Sequence, residues 1–112
     1  MRYETAGPIS RAEWAVARAS GDPATIASAL VRLAVNDADG SFVEQQCLQQ
    51  LSGGDPDLRR IAVTCLGHVA RIHRRFSDSA TVPLLAALLR DPVVSAQAQD
   101  ALDDVRIFVN ES

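Results

Sequence analysis

The chain has 112 residues, the size of one domain, and 47% of them are hydrophobic against 22% charged, so a core can form without disulfide or metal staples. The net charge is −3, and only 4% of residues are aromatic. Eight acids and four arginines lie in residues 1–58, five arginines and no acid in residues 59–76, and six acids and two arginines in residues 77–112. One basic stretch between acidic flanks argues against general nucleic-acid binding, which needs a broad positive footprint. No apolar h-region follows Met1, and no run of apolar residues is long enough to span a membrane, so the expectation is a cytoplasmic protein.

In chain order the elements are all helical. Ser10 with Glu13 reads as a capping box for a helix over Ser10–Ser20, which Gly21 closes. Asp22-Pro23 starts the next helix, because Asp caps a free N–H and Pro loses nothing at the first helical position. Ser41 with Glu44 reads as a second box, for Ser41–Ser52, ahead of Gly53-Gly54. Asp55-Pro56 opens a helix to about Phe76 with the buried stripe Leu58, Ile61, Ala62, Cys65, Val69, Ile72 and Phe76. Gly67 inside it costs about 1 kcal/mol against Ala, which close approach of a neighbouring helix compensates. A helix from about Ser79 to Arg90 takes Pro83 in its first turn, and Asp91-Pro92 starts the last, with Val94, Ala98, Ala101, Leu102, Val105 and Phe108 facing inward.

The three Asp-Pro pairs lie 33 and 36 residues apart. Seven residues after each Asp stands Ala29, Ala62 or Ala98; eleven after stands Leu33, Leu66 or Leu102. Such columns mark a repeat. The expected fold is all-α: three antiparallel helical hairpins, at about 10–36, 41–76 and 79–109, stacked as a short α-solenoid in a single domain over 1–112.

The segment LSGGDPDLRRIAVTCLG resembles a HEAT repeat, in which a Leu-rich turn, Asp-Pro, and an apolar residue with Arg follow one another. LLAALLRDPVVSAQAQDAL is similar, but Ser95 stands where the Arg should be, and WAVARASGDPATIASALVRL departs further. The ordered set YETAGPISRAE, CLGHVARIH and DALDDVRIF, from Tyr3 to Phe108, is similar to small bacterial HEAT-like proteins. Some of these are immunity proteins of contact-dependent growth inhibition or other polymorphic toxin systems. The resemblance implies a bacterial protein that binds and neutralises a cognate toxin C-terminal domain, such as a nuclease, by stoichiometric protein–protein interaction. The alternative is a general HEAT-type interaction scaffold without a toxin link.

Neither enzyme chemistry nor a cofactor or metal is expected. His68 and His73 are five apart and point to different faces, with no ligand at i+3 or i+4 to complete a zinc set. Cys65 with His68 has nucleophile–base spacing, but Cys65 lies in the buried stripe, and a reactive thiol needs exposure. Cys47 and Cys65 read as buried reduced thiols, and Trp14 as a packing anchor rather than a partner contact. Aligning the second helices of the hairpins gives an exposed stripe of Thr64, His68 and Arg71 beside Asp100, Asp104 and Ile107. It reads either as inter-helix ion pairing or as a charged recognition stripe. The acidic set Asp37, Asp39, Asp100, Asp103 and Asp104 is likewise either a solvated face or a surface complementary to a basic toxin. These eight polar positions are the partner-binding candidates, on a chain expected to be monomeric when free.

Overall fold

Ser10 Oγ accepts the Glu13 N–H at 3.0 Å, and Glu13 accepts the Ser10 N–H at 2.8 Å, so the expected capping box starts α1, Arg11–Ala19. In this computed structural model, which describes residues 7–109, the chain then turns at Gly21, whose φ of 73° suits a residue without Cβ. The Tyr3–Ala6 part of the first resemblance motif and both ends of the expected 1–112 domain lie outside those residues. Asp22 caps α2, Pro23–Asn36, through the Thr25 N–H, and Asp55 caps α4, Pro56–His73, through the Leu58 N–H at 2.8 Å. Between them lies α3, Gly40–Leu51; after them come α5, Thr81–Leu88, and α6, Ser95–Asp104, which continues as a π-helical turn over Val105–Val109. No strand occurs among the described residues.

Two helix starts differ from the sequence expectation. Asp39, not Ser41, caps α3, accepting the Phe42 N–H at 3.1 Å. Glu44, the expected partner in a second capping box, is instead fully buried and accepts the N–H groups of Ser77 and Asp78 and the Thr81 hydroxyl. At Asp91-Pro92 no helix starts. The Asp91 carboxylate takes the Val93 N–H at 2.9 Å and the Arg59 guanidinium at 2.7 Å, a turn closes from the Val94 N–H to the Asp91 carbonyl, and α6 begins three residues beyond Pro92.

Two helix ends also differ. α4 stops at His73 because Arg74 adopts the left-handed conformation at φ 61°, and Phe76 lies beyond the helix. α5 is shorter than 79–90, and Pro83 sits in its first turn. Ile72, expected in the buried stripe, is 48% exposed in the last turn of α4, and Leu102 and Phe108 are only half-buried.

α4 is the centre of the packing. It touches α2, α3, α6 and the π-helical turn, while α1 packs on α2 and α5 on α6. Ala62, Val63, Cys65, Leu66, Val69 and Ala70 are fully buried along it. The alanine column holds: Ala29, Ala62 and Ala98 are all buried, and small side chains there let helices approach closely. Leu33 and Leu66 are fully buried, each contributing about 1.5–3 kcal/mol through apolar area removed from water. Arg59 near the start of α4 pairs with Asp91 just before α6, and Arg71 near the end of α4 pairs with Asp104 at the end of α6. The two helices therefore run in the same direction.

Candidate protein-binding face

Along α4, Thr64, His68 and Arg71 follow each other at steps of four and three and so share one face. Arg71 Nη1 donates to Asp104 Oδ2 on α6 at 3.1 Å, and Arg71 Nη2 donates to His68 Nδ1. The expected juxtaposition of this helix pair is therefore present. A guanidinium has only donors, so Nδ1 accepts and the His68 proton resides on Nε2. Burial lowers the His68 pKa below its usual 6.5, Arg71 lowers it further, and Asp104 partly opposes them. Gly67 permits the approach: a Cβ there would stand 3.0 Å from Asp104 Oδ2 and 3.5 Å from Ala101 Cα.

Asp100 continues this face on α6 and is exposed, as Thr64 is on α4. Asp103 turns aside and is held by Arg106 at 2.7 Å and by the Gln99 amide at 3.1 Å. Asp37 and Asp39 are elsewhere, at the α2–α3 junction. Both accept from Arg11, whose guanidinium also lies 3.7 Å from the centre of the Phe42 ring. The Phe42 N–H is the main cause holding the Asp39 carboxyl below its usual range, with Arg11 adding to it. Eight candidate residues thus fall into two groups, one on α4 and α6 and one at the α2–α3 junction, and four of the five carboxylates carry an arginine partner.

Near that junction, a groove of about 460 Å³ is lined by Asp39, Ser41, His73, Arg75 and Ser77 among others. The His73 ring packs on the Gly40 backbone so closely that a Cβ at Gly40 would meet it at 2.6 Å, and His73 Nε2 is buried without a hydrogen-bond partner among the described residues. Arg75, Arg74 and the exposed Ile72 were not among the sequence candidates. Ile72 gave a misleading signal, since its spacing continues the buried stripe. The pairing of Arg11 with carboxylates 26 and 28 residues away has no local signature.

Cys47 and Cys65 are free and fully buried; the neighbouring Cys65 thiol and burial together push the Cys47 thiol well up. Trp14 is 1% exposed and its indole N–H donates to Gln46 at 2.9 Å, as a packing anchor should. Among the described residues, no three metal-ligating side chains converge, and no helix is long and apolar enough to cross a membrane.

Neither a protein-family model nor a curated protein matches the chain. Among solved structures, it is similar to a chain in the crystal structure of a CDI complex from Cupriavidus taiwanensis LMG 19424, with a TM-score of 0.78. The two are 35% identical over 96% of this chain and 97% of that one. With such identity across nearly the full length of both, the chain belongs to the same family as this CDI-complex chain.

Proposed function

We propose that this protein is an immunity protein that binds a cognate toxin domain one-to-one and blocks it, without catalysis and without a cofactor. The observation that carries the reading is the full-length similarity, at 35% identity, to a chain that was crystallised in a CDI complex. The helix packing agrees with it. The three helix pairs α1–α2, α3–α4 and α5–α6, joined through α2, α4 and α6, fit a short HEAT-like stack of three hairpins, a rigid support for a partner. The fully buried thiols and the neutral, arginine-bound His68 leave no activated nucleophile on this face. The exposed Thr64, Arg71 and Asp100 and the half-buried His68 and Asp104 on α4 and α6 form part of the contact face, with Asp103 at its edge and Asp37 and Asp39 at the α2–α3 end. The protein acts in the cytoplasm, where an incoming toxin domain would meet its target, and is a monomer until it binds.

The test is co-expression. The C-terminal domain of the protein encoded by the neighbouring upstream gene is produced in the cytoplasm with and without this chain. Restored growth, together with a one-to-one complex of the purified proteins on size exclusion, is the expected result. Growth arrest despite a well-folded protein and no complex would leave the general scaffold as the reading.

A further inference from the structure

The folded chain redistributes charge in a way its sequence does not display. Asp37 and Asp39 share Arg11, which offsets one of their two charges, while Asp57 pairs with Arg60, Asp91 with Arg59, Asp103 with Arg106 and Asp104 with Arg71. Asp22 and Asp55 cap their own helices. Arg74 and Arg75, both exposed, have no carboxylate partner among the described residues. They sit together at the end of α4, where the Arg74 guanidinium lies 5.4 Å from the centre of the Phe108 ring. Ile72, 48% exposed, and Ile107, 52% exposed, stand at the same end, because the Arg71–Asp104 and Arg74–Phe108 contacts bring residues 71–74 alongside 104–108. The groove against Arg75 adds the Ser41 and Ser77 hydroxyls, which hydrogen-bond each other and so leave one O–H to donate outward. Its one carboxylate, Asp39, already accepts from the Phe42 N–H and Arg11.

We infer that this end of the molecule docks an acidic, apolar-centred patch of the partner protein. A partner Asp or Glu seats in the groove against Arg75 and the one serine O–H that the Ser41–Ser77 bond leaves free, and apolar partner side chains cover Ile72 and Ile107. The inference rests on the immunity reading and gives that interface a sign opposite to the one the carboxylate-rich sequence implies. A protein fits better than a nucleic acid. Two unneutralised arginines beside Asp39, Asp78, Asp103 and Asp104 are a poor phosphate track, and among the described residues no exposed aromatic ring stands there for base stacking. Exposed apolar residues ringed by arginine match the composition of protein interfaces.

The experiment uses the domain that the co-expression test pairs with this chain, catalytically inactivated, as the probe in surface-binding kinetics. Arg75→Glu is expected to slow association about tenfold or more at low salt, with the effect shrinking toward 0.5 M salt, and Ile72→Ala to speed dissociation about tenfold. Arg90→Glu is the control. Arg90 adjoins Asp91, which pairs with Arg59 near the start of α4, so the stretch of helix from Arg59 to His73, about 21 Å, separates it from the end where Arg75 lies. It is expected to change either rate less than about twofold, the scale of a long-range charge screened by salt. Arg75→Ala, which removes the charge without reversing it, gives a smaller slowing of the same sign. Wild-type binding that neither Arg75→Glu nor Ile72→Ala alters would overturn the inference and leave the immunity reading standing. A folded wild type that does not bind the domain at all would remove both. Capture of a single-stranded RNA oligonucleotide by the wild type, lost in Arg75→Glu, would assign this end to nucleic acid and overturn the inference as well.

Discussion

Glu44 on α3 accepts the Thr81 hydroxyl on α5 at 2.6 Å across 37 residues of chain, with both residues fully buried. The same carboxylate takes the Ser77 N–H at 2.7 Å and the Asp78 N–H at 3.1 Å. It thus caps from a distance the loop that leads into α5, a helix whose own N-cap, Ala80, has no side chain to offer. An amide has only one acceptor oxygen and turns its NH₂ toward a donor. Glu44→Gln should therefore cost about 1–3 kcal/mol, the penalty for a buried donor left unpaired, measured by urea denaturation. A loss below about 0.5 kcal/mol, the scale of a surface substitution, would show that the loop re-pairs with water.

Gly67 separates two effects by side-chain size. Gly67→Ala gains about 1 kcal/mol of helix propensity but must displace the Asp104 carboxylate, so its stability should stay near that of the wild type. Gly67→Leu meets the α6 backbone at Ala101 and should destabilise by about 1–3 kcal/mol through overpacking. Equal denaturation midpoints for Gly67→Leu and the wild type would mean that α6 moves freely away from α4.

Acid should weaken the fold in two stages. The folded-state pKa of His68 is depressed, so below the unfolded value of 6.5 the unfolded chain binds more protons, and stability falls as the pH drops through the folded pKa. Protonation also sets His68 against Arg71 and removes the acceptor lone pair on Nδ1. The second stage belongs to carboxyls that are depressed in the fold: Glu13 by the Ser10 N–H and hydroxyl, Asp22 by the Thr25 hydroxyl and N–H, Asp39 by the Phe42 N–H, and Asp91 by Arg59 and the Val93 N–H. Their contribution is complete above the unfolded values of 4.5 for Glu and 3.8 for Asp, and is lost as the pH falls further. Urea midpoints from pH 8 to 3 should show both stages, and His68→Gln should abolish only the upper one. A pH profile for His68→Gln identical to that of the wild type would assign the upper stage to another group.

The two cysteines should be silent in the native protein. The thiolate is the reactive form, and burial beside Cys65 pushes the Cys47 thiol away from it. A thiol-specific chromogenic reagent should react with both cysteines in denaturant and with less than about 10% of them under native conditions, since only the small open fraction exposes them. Rapid native reaction would mean that the α3–α4 contact opens locally.

Where a signal and its partner lie within one helical turn, the amino-acid sequence determined the outcome. Ser10 and Glu13, Asp22 and Thr25, and Asp55 and Leu58 are three residues apart, and each pair closes as its spacing requires, because no distant group competes for the capping oxygen. The alanine and leucine columns placed Ala29, Ala62, Ala98, Leu33 and Leu66 in the core for a similar reason: period alone decides which side of a helix they occupy. Tertiary structure decided the rest, wherever a polar group had a distant rival partner. Glu44 left its local cap for Ser77, Asp78 and Thr81, and Asp91 gave its carboxylate to Arg59 and a tight turn, so the third Asp-Pro does not start a helix. The charge of the binding face belongs to the same class. Carboxylates outnumber arginines in the sequence, but only the pairing of side chains about 26–33 residues apart shows which are matched, and that long-range pairing leaves Arg74 and Arg75, at the end of α4 with Ile72, without a carboxylate among the described residues.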